Sequence, residues 1–260
     1  MTDLELALEL ADLADLISLD RYLASDLVVE SKPDLTPVSD ADKAVENEIR
    51  LQLAKVAADD GIIGEEFESS SSTNNREWIL DPIDGTKNFI RGVPVWATLI
   101  ALRVNGVITV GVVSSPALGR RWYASAAAGA FVIETVGGSK KVRRLAVSKV
   151  SKVSDASFAH SEIVKKDIWE GDYDNFLKLS NDVWRTRGFG DFWSYMLVAE
   201  GAVDFAIEPK LALWDMAALE VIVNEAGGRF SNLTGVDGSS GPGAISSNHL
   251  LHDLVLTELK

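Results

Sequence analysis

Asp81-Pro82-Ile83-Asp84-Gly85-Thr86 sets two carboxylates three residues apart at the end of the apolar run Trp78-Ile79-Leu80, with a proline and a glycine shaping the turn. Proline fixes φ and carries no N–H, so the carbonyls around it can turn toward a hard cation instead of joining a ladder. Asp81 and Asp84 can then face one point. Gly85, Thr86 and Lys87 read as the first turn of a helix, whose unpaired N–H groups and positive dipole end suit an anion. Metal and phosphate could share that corner. Two aspartates at this spacing also serve as a turn cap and a helix cap, so the motif alone leaves both readings open.

Two further acidic groups add weight to the chemical reading. Gly61-Ile62-Ile63-Gly64-Glu65-Glu66 ends a short apolar strand in adjacent carboxylates, and Trp214-Asp215 opens an apolar helix with another. Acids at strand ends and helix starts collect at one edge of a sheet, where ligands bind in α/β folds. Like charges crowded there need a counter-ion. The chain has no cysteine and only His160, His249 and His252, so the ligands on offer are oxygens, which select Mg²⁺ or Mn²⁺ over zinc. Against 25 Lys and Arg stand 39 Asp and Glu, a net charge of −14 that repels nucleic acid and anionic membrane surfaces.

The elements that position these acids follow from periodicity. Thr2-Asp3-Leu4-Glu5 has the form of a capping box, and Leu6, Leu10, Leu13 and Ile17 recur at helical spacing. After a loop around Pro33 and Pro37, Val45, Ile49, Leu53 and Val56 mark a second helix with Asp42 in its first turn. Ser69 to Asn75 reads as an exposed loop. Strands are expected over Val93–Leu102 and Val107–Val113, joined by Asn105-Gly106, and over Trp122–Thr135 with a break at Gly129. From Gly137-Gly138 onward the pattern changes. Strands over Ala156–His160, Val183–Arg187 and Val203–Ile207 alternate with helices over Asp191–Glu200 and Asp215–Glu225, the latter stopped by Gly227-Gly228. This is an α/β pattern, a mixed or parallel sheet with helices packed on it. The division expected is residues 1–138, carrying most of the metal ligands, and residues 139–260, completing the site and forming the substrate pocket. His249 and His252 are expected on a surface C-terminal helix, with no catalytic role. No apolar run approaches the roughly 20 residues that cross a bilayer, and no basic-then-apolar leader precedes the first helix, so a cytoplasmic protein is expected.

Gly64-Glu65-Glu66, Asp81 to Thr86, and Trp214-Asp215 with Glu225-Ala226-Gly227-Gly228 resemble, in order, the signatures of the inositol monophosphatase family of metal-dependent phosphatases; Lys32 to Asp42 resembles that family's upstream segment. The resemblance implies a layered α-β-α-β-α sandwich of the inositol monophosphatase/fructose bisphosphatase type, usually a homodimer, hydrolysing a phosphomonoester with two or three Mg²⁺ ions. By motif position it implies that Glu65, Asp81 and the Ile83 carbonyl bind one ion and Asp81, Asp84 and Asp215 a second. Thr86, with Glu65 and Asp42, would orient and deprotonate the attacking water, while Gly85 and Thr86 amides cradle the phosphate. For Glu66 a direct role and a supporting one stand level.

The substrate half is read from Arg187-Gly188-Phe189-Gly190-Asp191-Phe192-Trp193-Ser194-Tyr195 and Glu208-Pro209. Glu208 matches the position where inositol phosphatases hold a ring hydroxyl, whereas Asp191 stands where they carry a small neutral side chain. An added acid favours a cation, so Asp191 and Glu208 would meet an ammonium or imidazolium, beside an apolar wall of Phe189, Phe192, Trp193 and Tyr195. Asp191 as the N-cap of its own helix, and Arg187 as partner to a buried acid, are the plainer alternatives. The longer segments around Lys32–Val38, Thr86–Thr98 and the Arg187 loop most resemble bacterial histidinol-phosphatases of the family, which implies histidinol phosphate as substrate. Inositol 1-phosphate is the alternative ester. A binding partner of transcription machinery is the alternative of another class, although such a role would tolerate loss of the acids that this chain keeps.

Overall fold

A computed structural model describes residues 1–161, 169 and 173–259. Helix α1 (Asp3–Arg21) starts at the expected capping box, Thr2 and Glu5 each satisfying the other's backbone N–H. A short hairpin, β1 (Val29–Ser31) and β2 (Pro37–Ser39), leads into α2 (Asp40–Val56). Then come β3 (Gly61–Gly64), β4 (Arg76–Asp84), the short α3 (Thr86–Ile90), β5 (Ala97–Val104), β6 (Val107–Ser115), β7 (Arg120–Ser125), β8 (Gly129–Val136) and β9 (Ser139–Arg144). Among the described residues these strands form one sheet in the order β3-β4-β5-β6-β7-β8-β9, antiparallel except for the parallel pair β3–β4. Asn105 and Gly106 both take positive φ in the β5–β6 turn, as its short hairpin requires.

The remainder builds a second sheet. It comprises β10 (Ser157–His160), α4 (Tyr173–Asp182), β11 (Arg185–Gly188), α5 (Asp191–Ala199), β12 (Phe205–Glu208), α6 (Leu213–Glu225), β13 (Arg229–Ser231), β14 (Ala244–Ser247) and α7 (His252–Glu258), with sheet order β11-β10-β12-β14-β13. Strands β11, β10 and β12 run parallel and the other pairs are antiparallel, the mixed sheet expected from the alternation.

Side-chain alternation stacks these pieces into five layers. Trp78 and Leu80 of β4, with Ile100, Leu102, Val110 and Val112, bury against Leu6, Leu10, Val45 and Ile49 of α1 and α2. Ile79, Leu99, Val113 and Trp122 point through the other face onto Phe192 and Met196 of α5 and Leu219 and Ile222 of α6. Those two helices also meet Ala206, Phe230 and Ala244 of the second sheet. Phe158, Phe205 and Ile245 on its far face bury Phe176 of α4 and Val255 of α7. The result is the α-β-α-β-α sandwich, with α5 and α6 as a shared middle layer.

Four expectations shift. The boundary at 138/139 falls inside the β8–β9 hairpin, so the first sheet runs on through Arg144. Val93–Trp96 is not strand. Asn88 draws that segment around α3, its backbone C=O accepting from Val93 N and its side chain donating to the Val95 carbonyl, while Trp96 packs edge-on against Phe89 at 5.0 Å. His249 lies exposed before α7. His252, by contrast, is fully buried, its Nδ1 2.9 Å from Ser247 Oγ and its Nε2 2.8 Å from Ser231 Oγ. No helix among the described residues is long and apolar enough to cross a membrane.

Candidate active site

Strict alternation along β4 would send Asp81 and Asp84 to opposite faces, since their spacing is odd. The register prevents this. Asp81 pairs with Leu99 and Asp84 with Ala97, three steps on β4 against two on β5. The extra residue is a bulge that flips the parity, and the Thr98 hydroxyl holds it by donating to the Pro82 carbonyl at 2.8 Å. Both aspartates therefore reach the middle layer, where α6 presents Asp215 in its first turn. Asp81, Asp84 and Asp215 each bring a carboxylate oxygen within 4.8 Å of the others. Burial, then repulsion among these acids and Glu65, holds Asp81 well above the ordinary carboxylate range; burial and Asp191 do the same to Asp84. Burial pushes Asp215 up to about 6, although its carboxylate accepts the Ala212 N–H at 2.7 Å.

A second set of groups borders the cluster. Thr86 Oγ1 lies 3.1 Å from Asp42 Oδ1 and 3.0 Å from the Ile83 carbonyl oxygen. Asp42 is buried at the start of α2, accepts from Ser39 N and Oγ, and is raised by that burial. Glu65 sits near enough to raise Asp81, yet its carboxylate pairs with Lys32 at 2.7 Å, and Lys32 also meets Glu66 at 2.6 Å. Burial and Glu65 push the Glu66 carboxyl up to about 7, against the pull of Lys32. Beneath them, fully buried Glu46 accepts the Glu66 N–H at 2.8 Å and pairs with Arg50. A Cβ on Gly64 would overlap the Glu46 carboxylate, which accounts for the glycine before the two glutamates.

The second half supplies the opposite wall. Gly190, not Asp191, is the N-cap of α5, and Asp191 follows it with φ at 49°. Its Oδ2 accepts from Asn88 Nδ2 at 3.1 Å, and its N–H donates to Ser161 Oγ at 2.8 Å. Ser161 in turn donates to Glu208 at the end of β12. The next amide, Phe192 N–H, donates to Asp84 Oδ2 at 2.6 Å. Gly85 takes a left-handed φ of 86°, and a Cβ there would come within 3.0 Å of the Val95 carbonyl and 3.2 Å of Asp191 Oδ2. Asp42, Asp81, Ile83, Asp84, Gly85, Thr86, Asp191, Glu208 and Asp215 are thus brought together or linked through one intervening residue. Arg187 is not. It is exposed on strand β11, its Nη1 donating to the Thr186 carbonyl at 2.7 Å, and among the described residues no hydrogen bond or ion pair joins it to a buried acid. Of the expected apolar wall, Phe192 and Tyr195 are core residues against Trp122 and Phe230; Phe189 and Trp193 remain half-buried, edge to face at 5.4 Å.

The donor set fits a hard divalent cation. Asp81 Oδ1 is buried and has no hydrogen-bond partner among the described residues, and it stands beside carboxylates that repel it. The description of the inositol monophosphatase family matches residues 3–260. The chain belongs to the inositol monophosphatase family. Within that family it is 52% identical to a histidinol-phosphatase of Mycobacterium tuberculosis over 99% of this chain and 97% of the relative. It is 53% identical to a histidinol-phosphatase of Streptomyces coelicolor over 98% and 96%. The solved structure of the extragenic suppressor protein SuhB from Bartonella henselae superposes with a TM-score of 0.87 at 28% identity, covering 98% of this chain and 97% of that one. The five-layer arrangement is therefore that of inositol monophosphatase folds.

Several residues of this family member's site carried no role in the sequence reading. Lys32 stood only inside a matched segment, although a lone lysine ahead of adjacent glutamates is a visible hint. Asn88 likewise stood only inside a matched segment, and Ser161 and Glu46 had no signal at all, because each acts through a partner 20 or more positions away: Asp191, Glu208 and Glu66.

Proposed function

We propose that the protein hydrolyses L-histidinol phosphate to L-histidinol and phosphate, with Mg²⁺ held by Asp81, Asp84, Asp215, the Ile83 carbonyl and Glu65. The observation that carries the reading is the Asp191 carboxylate. It stands beside Gly85 and Asp84, and the Asp191 main-chain N–H connects through Ser161 to Glu208, so a second acid joins Glu208 at a place where a neutral polyol would have no use for its charge. The names of the two relatives above 50% identity support the same ester.

When bound, Mg²⁺ supplies positive charge that neutralises phosphoryl oxygens and acidifies a coordinated water. The chain's own groups do the rest. Gly85 and Thr86 amides receive the phosphate at the start of α3. Thr86 Oγ1 accepts a proton from the attacking water as its own proton is held toward Asp42, whose raised carboxyl suits it to take that proton. The P–O ester bond breaks as the water oxygen bonds to phosphorus, and the departing oxygen takes a proton from solvent, which is balanced when Asp42 releases to solvent the proton it accepted. Asp191 and Glu208 hold the ammonium or imidazolium of the leaving half by charge-assisted hydrogen bonds. The reading extends to a homodimer, which light scattering tests.

Phosphate release from histidinol phosphate, measured beside inositol 1-phosphate with Mg²⁺ and with EDTA, tests the proposal. A clear preference for histidinol phosphate, abolished by EDTA, is expected; comparable rates on both esters would overturn the substrate.

A further inference from the structure

We propose that Asn88 is a positioning residue that sets the Asp191 carboxylate at a fixed distance from the phosphate cradle, and so fixes the length of cationic substrate accepted. The inference rests on the histidinol phosphate reading above. Asn88 lies in the same short helix as Thr86, three residues after Gly85, and its N–H donates to the Gly85 carbonyl at 2.9 Å. A primary amide has two N–H donors. Asn88 gives one to the Val95 carbonyl at 2.9 Å and the other to Asp191 Oδ2 at 3.1 Å. The first bond anchors the side chain to the main chain of the segment that leads into β5; the second reaches across from the first half of the fold to the second.

Asp191 needs such a hold for two reasons. Its φ of 49° is a left-handed conformation that costs a non-glycine residue energy and persists only where surrounding bonds impose it. Its charge also opposes that of Asp84, on which Asp191 is the strongest of the acidic influences. The backbone bonds from Asp191 N–H to Ser161 and from Phe192 N–H to Asp84 locate the main chain of this turn. They do not orient the carboxylate. Asn88 does, from the same helical turn that begins at the phosphate cradle, and the glycine at position 85 leaves the 3.2 Å approach open.

Kinetics of Asn88→Ala and Asn88→Ser on histidinol phosphate and on p-nitrophenyl phosphate, both with Mg²⁺, test this. The expected result is a rise of about tenfold in KM for histidinol phosphate, the loss of about one well-made charge-assisted bond, with kcat changed much less. On the neutral aryl ester both constants should shift by no more than about threefold. In an Asp191→Ala background, Asn88→Ala should add less than about twofold on histidinol phosphate, because the two residues act as one unit. Thermal melts identify a variant that fails to fold, and Asn88→Ser keeps one donor for that case. Equal losses on the two esters, or full additivity with Asp191→Ala, would overturn the role of Asn88 while leaving the substrate reading intact. Absence of any preference for histidinol phosphate in the unmodified protein would overturn both.

Discussion

The amide of Phe192 donates a 2.6 Å hydrogen bond to Asp84 Oδ2, tying the first turn of α5 to the bulged end of β4. The acidic centre is therefore built jointly by the first sheet and the middle helical layer, with carboxylates drawn from β4 and α6 and a buttress from α5. A centre of this kind is organised for charge it does not itself supply, which makes it unstable by construction.

That cost is measurable at Asp81. Its carboxyl is raised above its unfolded value by burial and by neighbouring acids, so its ionisation weakens the fold once pH exceeds the unfolded value near 4. Asp81→Asn should raise stability in EDTA at pH 7 by about 1–3 kcal/mol, within the range of single-site effects, while abolishing Mg²⁺-dependent turnover. Melting curves at pH 7 and pH 4 check the sign: the advantage should shrink at the lower pH.

Thr86 and Asp42 should behave as one device. Thr86→Ala and Asp42→Asn are each expected to lower kcat by about a hundredfold, the lower end of general acid–base contributions, with a smaller effect on KM. Thr86→Ser, which keeps the hydroxyl 3.1 Å from Asp42, should retain most activity. A double variant no worse than either single one would establish the coupling.

Gly64→Ala tests the floor of the site. The added methyl collides with the buried Glu46 carboxylate, which must move and release the Glu66 N–H. A loss of about 1–3 kcal/mol in chemical unfolding is expected, typical of overpacking, together with weakened Mg²⁺ binding by calorimetry. Unchanged Mg²⁺ affinity would separate the floor from the metal centre.

His252 should contribute to acid stability away from the site. Burial lowers its pKa to about 4 from an ordinary 6.5, so the neutral ring is favoured in the fold. This contribution is complete above pH 6.5 and is lost as pH falls toward 4, on the order of 3 kcal/mol in all. His252→Gln should flatten the dependence of unfolding free energy on pH across that window.

Much of the site was legible because metal chemistry demands particular residues at short spacings. Asp81, Asp84, Gly85 and Thr86 fall within six consecutive residues, and α1, α2 and the β5–β6 hairpin follow from local capping, periodicity and turn chemistry. Segment ends were less legible: β5 begins only at Ala97, because tertiary contacts with Asn88 and Phe89 claim the apolar residues before it. His252 looked like surface because a seven-residue helix shows too little periodicity to reveal which face Ser231 and Ser247 cover.

By itself, then, the sequence determined the class of chemistry: hard oxygen ligands with no cysteine, a phosphate-suited turn, and an acid at 191 where a neutral group would serve a polyol. Only the tertiary structure decided which groups meet. The bulge that turns Asp84 to the side of Asp81, the engagement of Glu65 by Lys32, and the span from Asn88 to Asp191 depend on strand register and on contacts 33 to 103 residues apart. Such contacts leave no local periodicity, because the chain between their ends serves other layers of the fold.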